Sequence, residues 1–278
     1  MIVAKYRKSE LVSNYIILTI LALSCILPIV LLFFNSLKPV EEFGINPLGF
    51  PITIRLENFV DAWILGEYAQ IFLNSSKLVF GTLILNLTVS GLAGFSLAKL
   101  YPRGSNAFLV YLLVGVSIPA QMFILPLFLM WKEFGLMNTH LGLIIIYAGL
   151  NAPFATFLIR SYMIQLPDEL FDAAKIDGAN TLQLFYRIAV PISWPVFLTT
   201  GLIVGLAVWN EFLFALTFVH DDTKKPIATI LFAFQSRFAN DWGLVNAAAV
   251  MMMAPIVILF MFFQRRFIAG LTSGASKG

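Results

Sequence analysis

Polar side chains stranded inside long apolar stretches are the first candidates for chemistry in this chain. Five stand out: Asn86, Gln121, Asn151, Asn210 and Glu211. Polar groups within a bilayer cost free energy, so they mark either a route for a polar solute or a bond that ties helices together. Gln121 lies between Pro119 and Pro126, and Asn151 two residues before Pro153. Prolines there interrupt helical hydrogen bonds and free carbonyls, so these amides could line a route or stabilise a kink. Glu211 is about 25 Å along its helix from Pro195, towards one end of the span. It could face a polar cavity or support a gate; equally, it could bond a neighbouring helix near the interface. Other chemistries are poorly served. His140 and His220 are far apart and not in ligand spacing, so no metal site is expected. A single cysteine, Cys25, excludes an intrachain disulfide. No clustered nucleophiles, acids or ligands suggest an enzyme. The absence of any Gly-Lys dipeptide excludes a P-loop, so this chain is not expected to bind ATP or its magnesium.

The elements that position these residues follow from composition. Of 278 residues, 59% are hydrophobic and 12% charged, where a soluble domain carries about 25% charged residues. Six stretches reach the ~20 apolar residues needed to span a bilayer: 11–34, 78–98, 107–131, 141–159, 195–218 and 245–263. Backbone groups in lipid must bond internally, so each is expected to be a helix, giving an all-α integral membrane protein. The first is read as a retained helix, since no small-x-small cleavage pattern follows it. The sequence pI is near 9, but lysines and arginines sit at the ends of apolar runs, which argues for membrane topology over nucleic-acid binding. With the N-terminus inside, eleven basic residues fall on the inner side and seven on the outer. The short break 99–106, with Lys99 and Arg103 and no acid, weighs most. Both termini are therefore expected in the cytoplasm, with 1–10 preceding and 267–278 following the membrane domain. Around Leu56–Leu65 the long outer segment turns amphipathic and suggests a short surface helix. The 27 phenylalanines are expected to face lipid or to pack.

The segment 160–194 has the signals of folded structure. Pro167 suits a first helical position, Asp168 and Glu169 the positive end of the dipole, and Gly178 a C-terminal stop. Asn180 with Gln183 forms a potential capping box, and Pro191 is expected to end the second helix. Leu170, Phe171 and Ala174 line one face of the first helix; Leu182, Phe185 and Ile188 line one face of the second. Two such helices joined at a glycine suit a projection that fits a partner's cleft, or a pair lying on the membrane surface.

Asp172-Ala173-Ala174, then three residues, Gly178, nine more, Ile188, one more, and Val190-Pro191 resembles the "EAA" signature of ABC-importer permeases. Asp replaces the usual Glu, and Val the usual Leu. Asn35-Ser36-Leu37-Lys38, Asn74-Ser75, Trp209-Asn210-Glu211-Phe212-Leu213 and the tail from Gly270 resemble the carbohydrate branch, maltose-type systems in particular. The resemblance implies a type I importer permease fold over 11–266, six transmembrane helices and a cytoplasmic coupling loop. It names Asp172, Ala173, Ala174, Asp177, Gly178, Ile188 and Pro191 as the ATPase contact. It further implies a second homologous permease as heterodimer partner, two ATPase subunits that hold ATP and magnesium, and an extracytoplasmic solute-binding protein. The chain would be multi-pass in a bacterial or archaeal inner membrane, importing a sugar, or alternatively a polyol or other small polar solute. Its tail would order on the ATPase. An ion-coupled secondary carrier is the remaining alternative, and it leaves the loop signature unexplained.

Overall fold

The computed structural model describes residues 8–238 and 240–275, and no strand occurs among them. The elements are α1 (Lys8–Ser36), α2 (Val40–Ile45), α3 (Glu57–Leu65) and α4 (Tyr68–Phe95), with a π-helical turn Ser96–Leu100 ending α4. Next come α5 (Ser105–Ser117), α6 (Ile124–Glu133), α7 (His140–Met163), α8 (Glu169–Ile176), α9 (Thr181–Gln183), α10 (Val190–Ile192) and α11 (Trp194–Trp209). The chain closes with α12 (Leu213–Phe218), α13 (Ile230–Arg237) and α14 (Trp242–Ala275). Among the described residues, four helices are long and apolar enough to cross a membrane, or up to six if each of two bent pairs is one span.

Several boundaries differ from the sequence expectation. The stretch 107–131 is broken: α5 stops at Ser117, and the pair it forms with the chain from Ala120 is bent by 96°. Pro119 causes this, since it has no N–H to donate and drives Ile118 to extended backbone (φ −85°, ψ 127°). The stretch 195–218 divides as well, with α11 ending at Trp209 and α12 starting at Leu213. Helix α4 begins at Tyr68, so Asn74 and Ser75 lie within it rather than before it. The tail was expected to lack structure of its own, yet α14 continues to Ala275. Residues 1–7 and 276–278 lie outside the described residues, as do the side chains from 263 onward.

The chain divides into two compact units. One runs to Tyr68 and takes in Ile230–Ala254; the other is Ala69–Thr229 with the chain from Pro255. Within the first unit, the Asn35–Lys38 motif folds into a buried polar knot. Lys38 is fully buried, donating to Asn35 Oδ1 (2.9 Å) and the Asn46 carbonyl (2.6 Å). Asn58 on α3 donates to the carbonyls of Ser36 and Lys38, both at 2.9 Å. Glu42 accepts from the backbone N–H groups of Ile52 (2.7 Å) and Thr53 (3.0 Å). The expected amphipathic helix is present as α3. It turns Asn58 and Ala62 inward and leaves Val60, Trp63 and Ile64 exposed.

Within the second unit, α4 packs on α7 and α11. Asn86 and Ser90, one turn apart on α4, donate to the carbonyls of Ala148 and Ala152, one turn apart on α7. Gly91 and Gly94 of α4 permit close approach, since a Cβ there would lie 2.9 Å from the Phe197 ring of α11 and 3.2 Å from the Arg160 nitrogen of α7, as small residues do between membrane helices. Phe95 and Ala98 near the end of α4, Ile159 and Met163 on α7, and Val196 and Phe197 on α11 form a core with Phe171, Leu184 and Phe185 of the segment joining α7 to α11. That core is what gives the joining segment a fixed position.

Candidate functional site

The segment from Ile164 to Ser193 is compact and capped at its turns. Asp168 is the N-cap of α8 and Glu169 its first residue, so Pro167, expected at the first helical position, lies two positions before it. Glu169 and Asp172 occupy the first turn, where the helix dipole favours acids. At the other end Gly178 has φ +82°. Its N–H reaches the Lys175 carbonyl (3.0 Å) and the N–H of Ala179 the Ala174 carbonyl (2.9 Å). This paired pattern is a Schellman termination, which needs a left-handed residue that glycine occupies without strain. The capping box follows as expected: Asn180 Oδ1 accepts from Gln183 N–H (2.9 Å), and Gln183 Oε1 from Asn180 N–H (2.8 Å). Pro191 does not end the second helical stretch. A π-helical turn, Leu184–Ala189, leads into α10, and the chain turns until Ser193, where it bends 79° into α11.

The exposed face differs from the one that periodicity suggested. Phe171, Leu184 and Phe185 are buried, whereas Leu170 and Leu182 point outward. Ile176 is 86% exposed and Leu182 61% exposed, on either side of Gly178. Asp172, Ala173, Asp177, Gly178 and Pro191 are exposed, while Ala174 and Ile188 are half-buried against the core. A Cβ at Gly178 would meet nothing within 4 Å. The tip is thus an apolar-edged, unobstructed knuckle, and Asp172 is paired within α8 to Lys175 at 2.9 Å.

Lys99 was singled out in the sequence for topology alone, yet it reaches this segment. Its side chain is 6% exposed and its Nζ donates to Asp168 Oδ1 and the Leu166 carbonyl, each at 2.6 Å. It also lies 5.3 Å from the centre of the Phe171 ring, within cation–π range. A cleft of about 250 Å³ opens beside it, lined by Tyr101, Asp168, Asp172 and Lys175 among others.

The five intramembrane candidates are engaged separately. Asn86 is fully buried and bonds across to α7. The amides of Asn151 and Asn210 return to the carbonyls of Tyr147 and Leu206, four residues earlier. Gln121 is exposed. Glu211 accepts from the Tyr147 hydroxyl (2.7 Å) and from the N–H groups of Phe214 (2.9 Å) and Ala215 (3.1 Å). Its carboxylate therefore caps α12 after the break in the fifth span, a role for which acids at helix starts are suited. Tyr147 is the partner that sequence reading missed, since its contact crosses 64 positions.

Residues 90–273 match the family described as "Binding-protein-dependent transport system inner membrane component". The chain is 34% identical over 262 residues to the "Arabinooligosaccharides transport system permease protein AraQ" of Halalkalibacterium halodurans, covering 93% of each chain. It is 32% identical over 260 residues to the "Melibiose/raffinose/stachyose import permease protein MelC" of Bacillus subtilis, covering 93% of this chain and 94% of that one. In fold it is similar to a chain from a bacterial ABC transporter involved in import of the acidic polysaccharide alginate. The TM-score there is 0.81 at 22% identity, over 94% of this chain and 99% of that chain. The segment with the Schellman turn at Gly178 lies inside the matched region, and the chain belongs to the family of binding-protein-dependent transport system inner membrane components, as a membrane-spanning ABC permease and not an enzyme.

Proposed function

We propose that this permease carries a sugar delivered by an extracytoplasmic solute-binding protein, driven by separate ATPase subunits that dock on the tip of α8 and α9. The supporting observation is the knuckle itself: Ile176 and Leu182 stand exposed beside Gly178, on a segment held to the core by Phe171, Leu184 and Phe185. Asp172, Ala173, Asp177 and Gly178 form its rim, and ATP and magnesium stay with the partner. The termini are cytoplasmic, which puts α8 on the side where ATP is available. A second, homologous permease completes the complex. Helix α1 fits that arrangement, because none of its most apolar stretch is buried among the described residues. The relatives are named for arabino-oligosaccharides and for melibiose, raffinose and stachyose, which favours an oligosaccharide cargo over a polyol. Asn86, Gln121, Asn151, Asn210 and Glu211 remain the proposed lining or support of the route, with Glu211 acting through α12.

The docking test is Gly178→Asp in the whole transporter. Asp tolerates positive φ better than most residues and meets no neighbour within the chain. The variant should therefore stay in the membrane while losing the ATPase on purification; normal ATPase recovery and transport would remove the docking model. For cargo, uptake of radiolabelled arabinotriose and raffinose by cells with and without this chain separates the candidates, with sorbitol as the polyol arm. For Glu211, Glu211→Gln should change uptake without changing assembly, and unchanged kinetics would leave it a structural cap.

A further inference from the structure

We infer that Lys99 is a positioning residue that straps α8 to the end of α4, so that force on the knuckle passes directly into a transmembrane helix. The inference rests on the docking reading only for what applies that force; the strap itself is a property of this chain. An eight-residue helix is too short to hold its place by its own hydrogen bonds. What fixes α8 is Phe171, buried in the core, and Lys99. The lysine bridges both sides of Pro167: Leu166 at the exit from α7 and Asp168 at the entry to α8. The arrangement is lopsided, since Asp168 is 79% exposed and Lys99 only 6%. A desolvated ammonium must keep its acceptors, whereas a solvated carboxylate can give up its cation at little cost. The strap is therefore anchored from the α4 side.

The anchor has its own geometry. Lys99 sits in the π-helical turn Ser96–Leu100, closed by a bond from Tyr101 N–H to the Ser96 carbonyl (3.1 Å). The chain leaves that turn at Tyr101 with φ +47°, a conformation that bulky residues resist. The helix end is thus held at one place in the sequence, and with it the backbone that presents Lys99. Widened turns of this kind inside helices recur at functional positions. A second one, Leu184–Ala189, contributes Leu184, Phe185 and Ala189 to the same core.

The test is hydrogen exchange by mass spectrometry on the full chain in nanodiscs, comparing amides of Glu169–Ile176 with those of α7. Lys99→Met should accelerate α8 exchange about tenfold, the order of losing a charge-assisted hydrogen bond, with α7 unchanged. Lys99→Arg keeps charge and reach and should return α8 to within about twofold of wild type. Asp168→Asn leaves the Leu166 and Phe171 contacts and should raise exchange about threefold. Wild-type exchange of α8 in Lys99→Met would overturn the strap. So would equal acceleration of α7 and α8 that Lys99→Arg fails to reverse, which marks a folding lesion. A pull-down of the ATPase subunit from host membranes keeps the two ideas apart. Failure to recover it with the wild-type chain sinks the docking reading and leaves the strap to be judged by exchange. With docking intact, Lys99→Met should retain the ATPase about tenfold more weakly, because a loosened α8 must be ordered on binding. Loss of the ATPase with unchanged exchange would make Lys99 a direct contact and overturn the strap.

Discussion

The segment Leu37–Glu67 and the segment Ile164–Ser193 both join apolar helices with mixed polar sequence, but they spend their polar groups in opposite ways. In the first, Lys38, Glu42 and Asn58 turn inward and bond backbone groups of Asn46, Ile52 and Ser36, leaving apolar side chains such as Ile45 and Ile52 outside. In the second, Phe171, Leu184 and Phe185 hold the segment to the core, and the acids and Gly178 face outward with Ile176 and Leu182. A polar network satisfied within the chain fixes a shape. A capped helix pair with bare apolar edges is shaped already and keeps its surface for something else. The first region should therefore fail through stability and the second through association.

Four measurements can break or sharpen that contrast. Lys38→Met should cost the most stability, about 2 kcal/mol, because it removes both bonds of a buried ammonium and leaves the half-buried acceptors at Asn35 and Asn46 without it. Faster proteolysis within 39–56 would report it, and cleavage at the wild-type rate would dissolve the contrast. Asn180→Ala removes one arm of the capping box and should cost about 1 kcal/mol, read as faster amide exchange at Thr181–Gln183. Ile176→Ser changes a side chain that touches little, so the chain's thermal midpoint should shift within the noise of a surface substitution, about 0.5 kcal/mol. ATPase recovery should nonetheless fall sharply; if stability fell and recovery did not, the knuckle would belong with the scaffold. The smallest effect concerns acid. The N–H of Ile52, and then that of Thr53, hold the Glu42 carboxyl below its ordinary value of 4.5. A depressed folded pKa adds stability that is complete above the unfolded value and is lost as pH falls through the folded one. Proteolysis within 39–56 should accordingly rise only below about pH 4.5, and Glu42→Gln should flatten that rise.

How much of this was legible depended on range. The Asn180–Gln183 box and the turn at Gly178 were readable because their partners lie within five positions and the residue types permit few alternatives. The break at Pro119 was signalled by the same kind of local rule, but the length of the apolar run obscured it. Periodicity then misassigned Leu170 and Leu182, because a two-sided segment buries the face its neighbours cover, and those neighbours are set elsewhere in the chain. Lys99 was visible as a basic residue near a helix end, yet its three partners are 67 to 72 positions away. Glu211 was visible as a costly acid in an apolar helix; that it caps α12 and meets Tyr147 was not.

The sequence by itself determined what is local or compositional: apolar spans, the capped turn at Gly178, the missing phosphate loop and the motif that carries the family resemblance. Only the tertiary structure decided which polar groups are spent inside and which are left for a partner. The physical reason is that burial and pairing depend on helices distant in sequence. One and the same residue type, a lysine at a helix end, becomes a sealed knot at Lys38 and a strap at Lys99.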